Sequence, residues 1–234
     1  MAEESRQRRR ARPVVAIDGP TGAGKTTVAR ALAAALGFTH VNTGAMYRAF
    51  ALAAAMRYTE ADLAKGALGA RLGALLNSIS ITLDGPRVML NGRDVTDAIA
   101  APAIADLASR LSALPAVRER MREWQRAAGR DGGIVMEGRD IGTVIFPDAE
   151  YKFYLTARDE VRARRRFAEL AARGSDLSFG EVLAQLRERD ARDSARALAP
   201  LKPAPDAVII DASDLTVTQV VALMRARVEQ ASRP

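Results

Sequence analysis

Near its start the chain carries the run Gly19-Pro20-Thr21-Gly22-Ala23-Gly24-Lys25-Thr26. This run fits the pattern G-x-x-x-x-G-K-[ST], in which a lysine and a hydroxyl residue close a glycine-rich loop. The β-branched residues 14–17 precede it and predict a buried strand. The alanine-rich residues 25–36 follow it and predict a helix that ends at Gly37. A strand, a glycine turn and a helix in this order predict an α/β fold.

The glycine-rich loop has the chemistry of a phosphate site. Glycines let successive backbone N–H groups point inward, and the N-terminus of the following helix adds a favourable dipole. Lys25 can reach β- and γ-phosphates, and the Thr26 hydroxyl can ligate Mg²⁺. The expected ATP-binding residues are Gly19, Pro20, Thr21, Gly22, Ala23, Gly24, Lys25, Thr26 and Thr27. The loop alone predicts nucleotide binding, because kinases, GTPases, helicases and motor ATPases all use it.

The composition excludes several kinds of site. The 234 residues suit one domain, or a core with inserted subdomains. No cysteine is present, which excludes disulfides, thiol nucleophiles and Cys-ligated zinc, and His40 is the only histidine. No run of apolar residues approaches the roughly 18 of a membrane helix. The polar N-terminus has no apolar signal segment, so we expect a cytoplasmic protein.

Positive charge is concentrated in two parts of the chain, whose formal net charge is +7. Residues 1–12 contain five arginines against two glutamates. We expect a disordered, solvated arm there, with binding of nucleic acid as the alternative. A second set of arginines lies between Arg158 and Arg196, and this set indicates an anionic ligand.

The rest of the chain alternates apolar runs with helical patterns. Further strands are expected at residues 38–41 and 151–155, and buried strands at 134–136 and 207–210. Helices are expected over residues 44–57, 104–127 and 178–197, and further helices are expected to begin near residues 59, 158 and 215. A break at Pro115 is the alternative to one continuous helix over 104–127. This order predicts a parallel sheet that is covered on both faces. Residues 80–92 predict a hairpin, which we interpret as part of an insertion.

Three polar groups could bind the molecule that accepts the phosphate. The first is residues 43–48, where Arg48 offers a planar fork and Tyr47 an aromatic ring with a hydroxyl. The second is residues 137–140, which follow a predicted strand at the sheet edge where α/β ligands bind. The third is Arg189, Arg192, Asp193 and Arg196, whose spacing predicts one helix face. Arginines of this kind on a mobile lid would place positive charge around a transferred phosphoryl group and exclude water.

The motifs at residues 17–25, 43–48, 137–149 and 189–200 resemble those of the bacterial cytidylate kinases, a family of nucleoside-monophosphate kinases. The resemblance extends from about residue 14 to about residue 224. It implies a P-loop NMP-kinase-like three-layer α/β fold with a parallel central sheet, a monophosphate-binding insertion and an Arg-rich lid. The implied divisions are a core at residues 13–58, 101–157 and 198–231, an insertion at about 59–100 and a helical lid at about 158–197.

The resemblance also implies a role for each matching residue. Arg48 and Arg139 would hold the acceptor's phosphate, and Ser109, Arg118 and Asp140 would read the cytosine. Arg189 and Asp193 would contact the sugar and Arg196 the phosphate region, while Arg192 would close over ATP. The implied CMP-binding set is Thr43, Tyr47, Arg48, Ser109, Arg118, Glu137, Arg139, Asp140, Arg189, Asp193 and Arg196. The implied catalytic set is Lys25, Arg139, Asp140 and Arg192.

The expected reaction is transfer of the γ-phosphate of ATP to CMP or dCMP, with Mg²⁺ bound by Thr26. Some members carry Asp at the position of Glu137, so this side chain could reach its ligand through a longer contact or through water. Two other functions are left open: a kinase for a non-nucleotide acceptor such as shikimate or dephospho-coenzyme A, and a nucleic-acid-binding ATPase that uses the basic arm. We expect a monomer without specific nucleic-acid or membrane partners.

Overall fold

The computed structural model describes residues 10–59, 61–62 and 69–230. Within this part of the chain, the central feature is a five-stranded parallel sheet in the order β2-β6-β1-β7-β8. A separate three-stranded antiparallel sheet contains β3, β4 and β5. The strands are β1 Val14–Asp18, β2 Thr39–Asn42, β3 Ile81–Asp84, β4 Arg87–Leu90, β5 Arg93–Asp94, β6 Ile134–Gly138, β7 Tyr151–Thr156 and β8 Val208–Asp211.

Helices cover both faces of the five-stranded sheet, so the predicted three-layer α/β fold is confirmed. The helices are α1 Lys25–Leu36, α2 Thr43–Arg57, α3 Gly69–Ser78, α4 Pro102–Leu111, α5 Pro115–Ala128, α6 Asp159–Ala171, α7 Phe179–Ser194 and α8 Val217–Gln230. A short 3₁₀ turn occupies Ala98–Ala100, and a single π-helical turn occupies Ile141–Ile145.

The first strand divides the core into two layers because successive side chains of a strand point to opposite faces. Val14 and Ala16 pack with apolar residues of α2, α3, α4 and α5. Val15 and Ile17 pack with those of α1 and α8. Every residue of β1 is buried, as the β-branched run predicted. The central position of β1 places the loop that follows it at the middle of the sheet edge where parallel strands end.

Local signals in the sequence set several element boundaries. Helix α1 ends at Gly37, whose left-handed backbone lets its N–H bond the carbonyl of Ala34, as predicted. Helix α7 begins with the predicted capping box, in which Ser178 and Glu181 bond each other's backbone N–H. Thr59 and Asp62 form similar reciprocal bonds, but most of the helix predicted after them lies outside the described residues.

The alternative of a break at Pro115 is confirmed, because residues 104–127 lie in two helices, α4 and α5, and Pro115 opens the second. Two sequence predictions need correction. The strand at 207–210 was expected to be buried, but β8 is an edge strand in which Ile209 is 62% exposed. Helix α7 ends at Ser194, three residues earlier than the predicted 197.

The last part of the basic arm is packed against the body in this structure. Arg10 bonds Asp148 at 2.6 Å, and its guanidinium lies over the ring of Phe146. Arg12 lies over Phe38 and donates to the carbonyl of Gly37 at 2.7 Å. The remainder of the arm, residues 1–9, lies outside the described residues. Among the helices that are described, none combines the length and apolar character needed to cross a membrane.

The close approach of the glycine-rich loop to β7 generates a stability prediction. Gly19 has a φ of 147°, and a Cβ there would lie 2.0 Å from the carbonyl oxygen of Leu155. We therefore expect Gly19→Ala to lower the free energy of unfolding by about 2 kcal/mol or more. Gly180→Ala is the matched control, since its Cβ meets nothing within 4 Å in helix α7. Urea unfolding of both variants checks this, and equal stabilities would contradict it.

Candidate active site

The glycine-rich loop joins β1 to α1, as the motif requires. Lys25 is buried, and its Nζ donates to the carbonyl of Pro20 at 2.7 Å. Burial, reinforced by the nearby positive charge of Arg139, lowers the pKa of Lys25 well below its usual value. A charged ammonium in this position would gain from an anion that replaces the lost hydration. The loop therefore has the geometry and the electrostatics of a phosphate site.

A hydroxyl and a carboxylate meet beside this loop. The Thr26 Oγ1 donates to the Glu137 Oε2 at 3.1 Å, and the His40 Nε2 lies 3.3 Å from the other carboxylate oxygen. Thr43 fixes the same residue by donating to the Glu137 carbonyl at 2.7 Å. Glu137 thus contacts the predicted metal-binding threonine, and its carboxylate bonds none of the predicted cytosine-reading residues.

The donor atoms at this point suit a hard cation, because Mg²⁺ prefers oxygen ligands and keeps several waters. The described residues include no cluster of three or more His, Asp or Glu side chains arranged to hold a metal. Thr26 and Glu137 offer two oxygen donors, which fits an ion that is bound mainly through substrate phosphates.

Three arginines converge on the space in front of the loop. Arg48, Arg139 and Arg189 come from α2, the end of β6 and α7, and each is partly buried. Burial and the neighbouring Arg139 lower the pKa of Arg189 to about 10. The buried Arg189 Nε has no hydrogen-bond partner among the described residues. This excess of buried positive charge is what a site for a phosphate dianion requires.

One buried carboxylate, that of Asp193, pairs with two arginines of the site. Asp193 is only 2% exposed, and its Oδ2 accepts a hydrogen bond from the Arg139 Nε at 2.9 Å. Its other oxygen accepts from Arg196. Burial opposes the charge on Asp193, but Arg139, Arg196 and Arg189 together hold its pKa below the usual range. The sequence predicted that these residues act together, although Arg196 lies beyond the end of α7.

A second polar pocket surrounds Asp140, the residue next to Arg139. Asp140 and Arg118 are buried and form an ion pair. Desolvation raises the pKa of Asp140, although Arg118 opposes the shift. The Arg118 Nη1 also donates to the carbonyl of Ser112 at 3.4 Å, which links the pair to the end of α4. The Ser109 hydroxyl, on α4, is buried without a partner among the described residues, so it is free to bond a ligand.

Tyr47 lies at the wall of this pocket. Burial raises its pKa to about 12, and its hydroxyl therefore stays protonated. Its electrostatic neighbours include Arg118, Asp140 and Arg196, and it shares a hydrogen bond with the buried Gln125. The structure thus brings together the predicted residues Arg118, Asp140 and Tyr47. Ser109 is linked to them through Ser112, which donates to the Ser109 carbonyl and accepts from Arg118.

Arg192 is the predicted site residue that stands apart. The spacing predicted that it shares one helix face with Arg189, Asp193 and Arg196; helix α7 contains Arg189, Arg192 and Asp193, whereas Arg196 lies beyond its end. The Arg192 Nη1 bonds Asp106 on α4 at 3.0 Å, and its Nη2 bonds Glu188 at 2.8 Å. Both partners are acidic and exposed, and neither belongs to the glycine-rich loop.

The comparisons with known proteins agree with this geometry. A family model described as "Cytidylate kinase" matches residues 15–230. This chain belongs to the cytidylate kinase family. A "Cytidylate kinase" of Pelotomaculum thermopropionicum is 50% identical over 224 residues, which cover 94% of this chain and 98% of that protein. A "Cytidylate kinase" of Geobacter sulfurreducens is 47% identical over 221 residues, which cover 94% of each chain.

A solved structure resembles this member of the cytidylate kinase family in fold. It is an uncharacterized protein from Eubacterium ventriosum, with a TM-score of 0.51 and 14% sequence identity. The match covers 95% of this chain and 100% of that chain. At this level of identity the comparison supports the shared α/β fold and carries nothing about the ligand.

Sequence reasoning missed four buried or partly buried polar residues of this family member: Asp18, Gln125, Arg162 and Asp190. Asp18 ends β1, and its two carboxylate oxygens accept the N–H groups of Ile141 and Gly142, each at 2.8 Å. Asp18 thereby caps the π-helical turn that follows Asp140. A carboxylate directly after a buried apolar strand was the available signal, whereas the partners of the other three residues depend on the tertiary fold.

The charge on Arg189 generates a testable prediction. We expect Arg189→Met to raise the free energy of unfolding of the ligand-free protein by about 1–3 kcal/mol, because it removes a poorly compensated buried cation. The same change should weaken the stabilisation that added CMP gives. Arg187→Met is the control on the same helix, because Arg187 is exposed and paired with Asp159 and Glu160. Thermal melts with and without CMP measure both effects; a destabilised Arg189→Met protein would contradict the prediction.

The buried Asp18 predicts a dependence of stability on pH. Burial raises its pKa from 3.8 to about 6, so the folded protein holds this proton where the unfolded chain has lost it. The free energy of unfolding should therefore fall as pH rises from about 4 to about 6, by up to about 3 kcal/mol. Asp18→Asn should lack this part of the pH dependence, and the exposed Asp84→Asn should keep it. Urea unfolding across this pH range measures the free energy of unfolding of each protein. Parallel curves of this free energy against pH for wild type and Asp18→Asn would contradict the prediction.

Proposed function

We propose that this chain transfers the γ-phosphate of ATP to CMP and dCMP and releases ADP with CDP or dCDP. One observation carries the proposal: neighbouring residues at the end of β6 face two different sites. Arg139 donates a hydrogen bond to Thr21 of the glycine-rich loop, whereas Asp140 lies in the pocket with Arg118. An acceptor that binds both residues would hold its phosphate beside the loop that holds the donor.

The membership of the cytidylate kinase family supports this acceptor. The chemistry of the second pocket supports it independently. Cytosine carries an exocyclic amine, a hydrogen-bond donor, where uracil carries an acceptor oxygen. An ionised Asp140 would accept from the amine and repel the uracil oxygen, while the unpartnered Ser109 hydroxyl could bond the ring. A kinase for shikimate or another acceptor without a base would leave the buried Ser109 hydroxyl unpaired.

The proposed mechanism is direct in-line transfer without a covalent enzyme intermediate. The acceptor phosphate is already an anion, so no strong general base is needed. Arg48, Arg139 and Arg189 would orient it, and Lys25 would stabilise the negative charge on the transferred group. Catalysis by this arrangement would depend on positioning and on preorganised positive charge, which these four side chains would supply.

Mg²⁺ is part of the proposal. Thr26 and Glu137 would hold it at the point where their side chains meet. When bound, Mg²⁺ would neutralise charge on the oxygens of ATP. The proposed division of the chain keeps residues 59–100 as the monophosphate-binding insertion and residues 158–197 as the lid, in which Arg192 would approach ATP on closure. We also propose a monomer that acts in the cytoplasm, where both nucleotides are available.

A panel of acceptors tests the activity. The release of ADP would be measured with AMP, GMP, CMP, UMP and dCMP at fixed ATP and Mg²⁺. CMP and dCMP should give the highest kcat/KM. Equal turnover of AMP and CMP would reject the proposed specificity, and no ADP release with any monophosphate would reject the reaction itself.

A substitution in the second pocket tests the basis of that specificity. We expect Asp140→Ala to lower the ratio of kcat/KM for CMP to that for UMP by about 10- to 100-fold, because the amine loses its acceptor. Steady-state rates with both nucleotides measure the ratio. The control is Asp131→Ala, in an exposed turn that precedes β6, and it should leave the ratio unchanged. An unchanged ratio in Asp140→Ala would show that Asp140 does not read the base.

A further inference from the structure

Thr21, in the glycine-rich loop, is bound by three separate elements through its three polar groups. Its backbone N–H donates to the Asp190 Oδ1 on α7 at 3.2 Å. Its carbonyl accepts from the Arg162 Nη1 on α6 at 2.8 Å. Its side-chain Oγ1 accepts from the Arg139 Nη2 at 2.8 Å. The loop expected to bind ATP is thus connected directly to a residue expected to bind the acceptor.

The backbone and side-chain contacts of Thr21 have different consequences. Any residue at this position could form the two backbone hydrogen bonds, which tie the loop to α6 and α7. Only a side chain with an acceptor oxygen could bond Arg139. Thr21 has an ordinary negative φ, so the loop needs no special side chain here for its own conformation. The contact that depends on the Thr21 hydroxyl is therefore its hydrogen bond with Arg139.

The hydrogen bonds of Arg139 show what this contact fixes. Each of its three nitrogens donates to one acceptor: Nε to the Asp193 Oδ2 at 2.9 Å, Nη1 to the Gly138 carbonyl at 3.3 Å, and Nη2 to the Thr21 Oγ1. A guanidinium has five N–H donors, so these bonds leave one N–H on each terminal nitrogen. Two such donors can bind two phosphate oxygens at once, provided that the plane of the guanidinium is fixed.

We propose that Thr21 is a positioning residue for the acceptor's phosphate and that its hydroxyl acts by fixing the orientation of Arg139. This proposal rests on the proposed function. Asp193 fixes the guanidinium at Nε, and Thr21 fixes it at the Nη2 end. Without the hydroxyl, Arg139 would keep its charge and its ion pair but could rotate away from the orientation that binds two oxygens. A side chain of the ATP loop thereby sets the affinity for the other substrate.

The test compares Thr21→Val, which removes the hydroxyl and keeps the shape, with Thr21→Ser, which keeps the hydroxyl. Thr21→Val should raise the KM for CMP by about tenfold, as expected for one lost hydrogen bond to a charged group, and should raise the KM for ATP by a smaller factor. Thr21→Ser should behave like wild type. An unchanged KM for CMP in Thr21→Val, or an equal rise in both KM values, would overturn the proposal, since the second result indicates a damaged ATP loop.

A double-mutant cycle with Arg139→Lys tests the route of the effect. Lysine keeps the charge but lacks the planar fork, so removing the hydroxyl in this background should change the KM for CMP by less than about twofold. A full tenfold effect in the Arg139→Lys background would show that Thr21 acts elsewhere. Wild-type enzyme measured alongside separates the two proposals: if wild type does not phosphorylate CMP, the proposed function fails before the role of Thr21 is tested.

Discussion

The candidate site depends on how much positive charge the single buried carboxylate of Asp193 can balance. Asp193 accepts hydrogen bonds from Arg139 and Arg196 and also lies in the field of Arg189. Like-charged guanidinium groups repel one another, and burial removes the water that would screen them. Without Asp193 these arginines could not share one cleft, and even with it the cleft has more positive than negative charge.

This imbalance predicts that stability and binding oppose each other in this cleft. Burial lowers the pKa of Lys25, Arg48 and Arg189, so each charge is held at some expense to the folded state. A bound phosphate would supply the missing negative charge and recover that free energy. The same groups that weaken the ligand-free protein would therefore strengthen its complex, and the site is prepared for an anion before one arrives.

Much of the architecture could be predicted from local sequence. The loop at residues 19–26, the capping box at Ser178 and the left-handed cap at Gly37 each depend on neighbouring residues, and all three are confirmed. The exposure of β8 could not be predicted, because an apolar run does not reveal whether a strand lies at the edge or the centre of a sheet. The position of strand β8 follows from the order of the whole sheet.

The same distinction applies to the site. Motif residues such as Lys25, Arg139 and Asp140 could be proposed from the sequence because their chemistry is concentrated in short segments. The partners of Arg192 could not be predicted from spacing, because acidic side chains on α4 and α7 decide where its long side chain goes. The roles of Asp18 and Asp190 depend on contacts across more than 120 residues of sequence, which no local pattern records.

In the proposed function, Arg48, Arg139 and Arg189 form a monophosphate site beside a pocket for cytosine. Calorimetric titration of the protein with CMP and with cytidine, at low and high salt, tests it most directly. CMP should bind at least about 100-fold more tightly than cytidine, as expected when several charge-assisted hydrogen bonds are made, and the difference should shrink as salt screens the arginines. Equal affinities for CMP and cytidine would contradict the account, because the arginines would then contribute nothing to binding the acceptor.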